Sequence, residues 1–471
     1  MPTRAPTSPA RPPDPLTTTA KPPVRRRVVK VVRPCRKTDL REGILSGVDR
    51  NDRIRGERHT GGVTSMLADR TYQPTTTTRP DTVPEFVEDV FASLRRADQR
   101  RWARTYLNGL LNTPGRKTLQ RLARAGAHSA DSAHGLQQFI NSSPWDWSTV
   151  RHALAGALAS HARPRAWSIA EVTIPKRGDH SVGVHRRFDP DAGRVVNGQR
   201  ALALFTVADA YSAPVDWHIV LDNTWSHDAD RRRRARIPDS ATVESAWQHV
   251  LRFAVRAAHA PRLRHIPWVL DLRRVPDHTR ITGDLSRHRQ TFVAEVLPTQ
   301  PVVAARAGTQ PVIAAEYVAR GHALQAQLVP TPTPAGTREP VLLHSGPVQL
   351  PEQGNAEATD ALPVYRLIVR PASRTHKAAR YWITNLVDRS VEDVVSLTRH
   401  TRAADTAMTE LATDFGILDF EGRSFPGWHH HMTMASAAYA YTRLHPHRRG
   451  RPHRAPGTLE RASLPPVRLT S

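Results

Sequence analysis

Between Tyr381 and Tyr441 the chain has little freedom. Residues 381–386, YWITNL, form a short strand-like run. Helical spacing follows over 391–414, then the turn Glu421-Gly422-Arg423-Ser424, then a second helix from near Trp428. The first helix carries Asp405 among small neighbours, with Glu410 five residues on. The second opens on His429-His430-His431. Consecutive helical residues point about 100° apart, so these three cannot share one metal ion.

At 471 residues the chain has room for two or three domains and a sizeable core. Its net charge of +25 favours a polyanionic partner, because each neutralised phosphate releases counterions. Cys35 is the single cysteine, which rules out an intrachain disulfide and a cysteine zinc site. No apolar run approaches the roughly 18 residues of a membrane span. The N-terminus lacks an apolar signal core. These features predict a cytoplasmic, nucleoid-associated protein.

Residues 1–82 read as a disordered basic segment rich in Pro and Thr, with 17 Lys and Arg against 7 Asp and Glu over 1–80. The cluster RRRVVKVVRPCRK at 25–37 suits an arm along DNA phosphates; an upstream extension, with Met66 as the start, is the plainer reading. Residues 83–162 predict a helical domain with helices at 84–91, 97–111, 117–125, 135–140 and 147–159. Asp146 suits the N-cap of the last of these. Residues 163–300 predict α/β structure, with strands at 166–173, 181–184, 202–207, 214–221, 266–270 and 292–296 and a helix at 243–258. Residues 301–375 predict a β-rich elaboration of the core's edge, with strands at 341–344 and 364–369. Residues 376–445 return to the core, and 446–471 form a second basic, disordered tail. The patterns alone give α/β with antiparallel strands.

Two stretches go further. FEGRSFPGWHHH, residues 420–431, follows WITN at an unusual and specific spacing. GLQQFINSSPWDW occupies 135–147. Both resemble DDE-type transposases of the insertion-sequence family numbered 701, whose pattern is WITN, a helix bearing the last catalytic acid, then FEGRSW-x-GWH-x-H. The resemblance spans roughly 84–445. It implies an RNase H-like catalytic core with an inserted β-rich region, preceded by an α-helical DNA-binding domain. It also implies double-stranded DNA as partner and a homodimer on DNA ends. The implied chemistry is cutting and joining of DNA by two Mg²⁺ (or Mn²⁺) ions, which activate the attacking oxygen and stabilise the leaving one. Such hard ions take Asp and Glu oxygens.

The resemblance places three acids. A gapless register puts the third, usually Glu, on Asp405; the tryptophan common just before it is missing. The first falls on Ala170, within SIAEVTIPKRG, and the adjacent Glu171 points to the opposite strand face unless a bulge intervenes. The second falls on Leu272, with Asp271 one residue early and the following Tyr-Gly replaced by Arg273-Arg274; Asp271 either reaches a metal or is a surface acid paired with Arg273 or Arg274. Asp405, Asp271 and Glu171 are therefore the candidate catalytic and metal-binding residues. Lys176, Arg177, Arg186, Arg187 and Arg423 are candidate DNA contacts. Three functions stay open: a transposase-family DNA-binding protein impaired in catalysis, an active enzyme using the displaced acids, or a domesticated regulator that binds DNA without cutting.

Overall fold

The computed structural model describes residues 82–446 except 127–131, 190–192, 259–262, 264, 274, 276–277, 305–309, 322–323, 333–336, 352–362 and 375–377. The basic segment and the basic tail expected at the two ends lie outside the described residues.

Five helices open the fold: α1 (Val83–Val90), α2 (Ala97–Asn112), α3 (Leu119–Gly126), α4 (Ser132–Asn141) and α5 (Trp147–His161). Thr82 starts α1 through a capping box with Glu85, each side chain bonding the other's backbone N–H. Asp146 caps α5 by accepting from the N–H groups of Ser148 and Thr149, as its sequence position predicts.

One mixed sheet follows. Its first half is β1 (Ala166–Pro175), β2 (His185–Asp189), β3 (Arg194–Val207), β4 (Ser212–Val220), β5 (Trp268–Asp271) and β6 (Phe292–Val296). Side by side these run β4-β3-β1-β5-β6, with β2 pairing the start of β3; β3 is antiparallel to β1, β2 and β4, while β1, β5 and β6 are parallel. Parallel neighbours need crossovers. The helices α6 (Asn223–His227), α7 (Ala229–Ala235) and α8 (Ala246–Ala258) precede β5, and α9 (His278–Arg287) joins β5 to β6. The strand expected at 181–184 is instead a turn: Gly183 takes a left-handed φ of 69°, and its α-carbon lies against Ile219.

The region 301–375 extends the same sheet. It holds β7 (Pro301–Ala304), β8 (Val312–Ile313), α10 (Ala314–Ala319), β9 (Gln325–Pro332), β10 (Arg338–Gln349) and β11 (Tyr365–Arg370). Then β12 (Arg380–Thr384) inserts between β11 and β6, antiparallel to both. The WITN motif explains this seat. Asn385 accepts from the Phe292 N–H and donates to the Gln290 carbonyl, tying the end of β12 to the start of β6.

The helix expected over 391–414 is two, α11 (Val391–Thr398) and α12 (Thr401–Asp414). At the junction the Thr398 hydroxyl bonds the Val395 carbonyl, a local bond that competes with helix continuation. The last helix, α13 (Phe425–Leu444), buries 17 of its 20 residues. A helix covered all round belongs at the centre of a fold. Here α13 lies between α2, α4 and α5 on one side and β4 on the other, and one apolar core runs through all of them.

Candidate functional site

Registered residues on neighbouring strands share a face. Trp167 lies opposite Trp268 and Ser168 opposite Val269. Continuing that register sets Ala170 beside Asp271, and Asp271 pairs in turn with Glu295. Ala170, Asp271 and Glu295 thus form one row across β1, β5 and β6. The helix α12 lies over β1, β3, β4 and β5 and brings Asp405 to the same place. Asp405 carries a raised pKa, first from partial enclosure and then from the charge of Asp271. The structure therefore brings Asp271 and Asp405 together.

Glu171 is not with them. The β1–β3 pairing runs unbroken from Ala166 to Pro175, with no bulge to turn the side chain over. Its carboxylate instead meets Arg200 at 2.6 and 2.7 Å, with Arg187 3.5 Å away. Leu272, the gapless position of the second acid, is buried, and Asp271 is the residue in the row.

Arginines hold the row's acids. Arg273 grips Asp271 with two bonds, Nε to Oδ1 at 2.9 Å and Nη2 to Oδ2 at 2.5 Å, and its Nη1 lies 3.5 Å from Glu295. Burial pushes the Asp271 pKa up, but the Arg273 side chain and backbone N–H outweigh it, and the net shift is downward. Glu295, 1% exposed, is gripped on both oxygens by Arg380. Arg370 and Arg402 stand close enough for their charges to be felt here, and the Arg370 pKa falls through burial and then the charge of Arg380. Four guanidinium groups therefore face three carboxylates.

Sequence reasoning missed Glu295 and Arg380, whereas Arg273 was one of the two arginines expected as a partner of Asp271. Glu295 did leave a signal, as the one acid inside the apolar strand FVAEV.

Of the basic candidates, Arg177, Arg186 and Arg423 are exposed. Arg187 bonds the Thr173 hydroxyl, and Lys176 donates to the Phe420 carbonyl at 2.5 Å. Burial lowers the Lys176 pKa to about 8 despite Asp419 and Glu421. A cavity of about 570 Å³ opens at the other end of β1 and β5, lined by Arg163, Arg165, His265 and Arg389. None of the row's acids lines it.

The three histidines are structural. His431 bonds the Tyr106 hydroxyl and the Gly416 carbonyl, His430 stacks on Trp145 at 3.9 Å, and His429 stacks on Trp147 at 4.8 Å. The stretches GLQQFINSSPWDW and GWHHH therefore pack on each other.

Among the described residues no helix is long and apolar enough to cross a membrane. Comparison with curated proteins finds no match. The family model described as DDE superfamily endonuclease matches residues 89–345, which include β1, Asp271 and Glu295 and stop short of Asp405. With more than half of its length matched, the chain belongs to the DDE superfamily endonucleases.

Proposed function

We propose that this chain is a transposase of the insertion-sequence type, of the family numbered 701, that holds double-stranded DNA but is impaired in cutting it. The single observation that carries this is Ala170 in a row whose next acid, Asp271, is already gripped on both oxygens by Arg273. Two divalent ions would bring four positive charges and need a cluster of free carboxylate oxygens. This row offers a methyl group at the first position and a guanidinium at the second. The residues present do not fit a Mg²⁺ or Mn²⁺ pair, so no chemical step is derived through one.

The strand order β4-β3-β1-β5-β6, with β3 alone reversed, supports an RNase H-like core. We assign DNA contact to Arg177, Arg186 and Arg423, whose side chains are exposed; the Val182 N–H donates to the Arg423 carbonyl, tying the segment after β1 to the turn before α13. The helical segment 83–162 is a second DNA-binding candidate, and a homodimer on paired DNA ends follows from the same reading.

A second reading, an active enzyme using displaced acids, draws on the proximity of Asp271 and Asp405. Glu171 contributes nothing to it, and Glu295 would have to stand in. One experiment separates the two: duplex DNA carrying the gene's own flanking ends is incubated with full-length protein and Mg²⁺ or Mn²⁺. The expected outcome is binding without strand cleavage, with cleavage or metal affinity appearing in Ala170→Asp/Arg273→Gln. Robust cleavage by the natural chain, abolished by Asp405→Ala, would overturn the proposal. For DNA binding, replacing Arg177, Arg186 and Arg423 by Ala should flatten the salt dependence by roughly 2 to 3 log units per log unit of salt, about 0.9 per lost phosphate contact.

A further inference from the structure

A different cluster lies away from the acid row. His218 is on β4 one residue after Trp217, and Trp217 packs against Trp428 of α13. Alternation along the strand sends the His218 side chain to the other face. There it meets Glu244, just before α8, and His249 on α8. One ligand atom from each of the three lies within 4.8 Å of the other two. The two imidazole centroids are 4.0 Å apart, and His249 Nδ1 lies 2.9 Å from Glu244 Oε2.

Hydrogen bonding leaves this cluster incomplete. The His249 side chain is 1% exposed and that of Glu244 9%. Yet among the described residues neither ring nitrogen of His249 nor Oε2 of Glu244 makes a hydrogen bond, the Nδ1–Oε2 approach at 2.9 Å included. Each such buried orphan costs about 1–3 kcal/mol. The surrounding arginines are committed elsewhere: Arg252 to the other oxygen of Glu244, Arg151 and Arg256 to Asp216, Arg200 to Glu171. Both imidazoles are largely enclosed, which disfavours their charged form. Neutral imidazole nitrogens and a carboxylate oxygen are lone-pair donors, and what they lack is a shared acceptor.

We propose that His218, Glu244 and His249 bind one Zn²⁺ ion, which pins α8 to β4. Two imidazoles and one carboxylate suit a borderline first-row ion rather than Mg²⁺, with water completing a tetrahedron. The Arg252 contact on the second carboxylate oxygen would orient the ligand from outside.

The test is titration of purified full-length protein with ZnCl₂, followed by calorimetry and thermal unfolding, beside His218→Gln, His249→Gln and the double variant. The chain has 24 histidines, so the readout is the difference between proteins. The natural chain should bind one tight equivalent and gain thermal stability. Each single variant should bind it about tenfold more weakly or worse, and the double variant should lose it. Equal tight stoichiometry in the natural chain and the double variant would sink the proposal. Should the variants fail to fold, Co²⁺ added to the natural chain decides. An intense visible band of four-coordinate Co²⁺, bleached by Zn²⁺, supports the site, and a spectrum like that of the aqueous ion overturns it.

Discussion

The junction around α13 and the row under α12 are both built from polar groups inside the fold, yet they are completed differently. At the junction the buried arginine and the three histidines each meet a partner, while Trp428 Nε1 is left without one among the described residues. Arg151, 3% exposed, donates to the Thr433 hydroxyl, the Asp216 carboxylate and the carbonyls of Trp217 and His429. It joins α5, β4 and α13 in one step. In the row the carboxylates are met by arginines from neighbouring turns and strands, and the first position carries only a methyl group. The junction ties three elements together through one arginine, whereas two acids of the row, Asp271 and Glu295, are each held by an arginine beside them. A chain can keep its architecture while its acid row closes on itself, because the two depend on different residues.

The sharpest way to break this contrast is Arg151→Met. It leaves Asp216 short of a buried partner, and the expected loss is about 3–5 kcal/mol in urea unfolding. A loss below about 1 kcal/mol would mean that the junction is held by its apolar contacts alone.

Acid separates the two regions by pH. Burial lowers His430 and His431 to about 4 and lowers His429 further. In the unfolded chain these rings titrate near 6.5. Between those values the unfolded state binds more protons, so stability rises with pH and is lost as pH falls from about 6.5 toward 4. His430 and His431 each contribute on the order of 3 kcal/mol at most. Asp271, with its depressed pKa, adds stability that is lost only below its ordinary carboxylate range. Unfolding midpoints measured at pH 7, 6, 5 and 4 should drop already between pH 7 and 5, with buried His218, His249 and His400 adding to the same loss; a flat profile down to pH 4.5 would contradict the junction's assigned role.

A smaller effect tests the turn that launches α13. A β-carbon at Gly427 would lie 2.7 Å from Asn141 Oδ1 and 2.9 Å from Ser424 Oγ. Gly427→Ala should therefore cost about 1–3 kcal/mol by overpacking. Unchanged stability would show that Asn141 gives way freely.

Sequence made the junction far more legible than the row. Asp146, the WITN strand and the GWHHH helix announce themselves through caps, breaks and composition, which act over a few residues. Glu295 and Arg380 are 85 positions apart, and their pairing exists only because β12 docks antiparallel on β6. Nothing local encodes that register. The extension of the sheet by β7 to β11 was likewise visible only as a Pro, Ala and Thr-rich stretch with two strand-like runs. The break between α11 and α12 was hidden because Thr398, Arg399 and His400 are each tolerable inside a helix. Glu171 was the reverse case: strand alternation alone predicts that it faces away from Ala170, and the unbroken pairing of β1 with β3 keeps it there.

The finest test sets Asp271 of the row against Asp405 of the helix above it. Asp271→Asn removes the charge that Arg273 was gripping, leaving a guanidinium half-buried without its main partner, and should destabilise. Asp405 has no ion pair among the described residues, and partial enclosure and the Asp271 charge disfavour its ionised form. Asp405→Asn should therefore shift stability at pH 7 by no more than about 0.5 kcal/mol, in the stabilising direction. Opposite signs for two acids that share a site are what a self-neutralised row requires. If both changes destabilise, Asp405 is held by a cation, and the row retains more of a metal site than its arginines suggest.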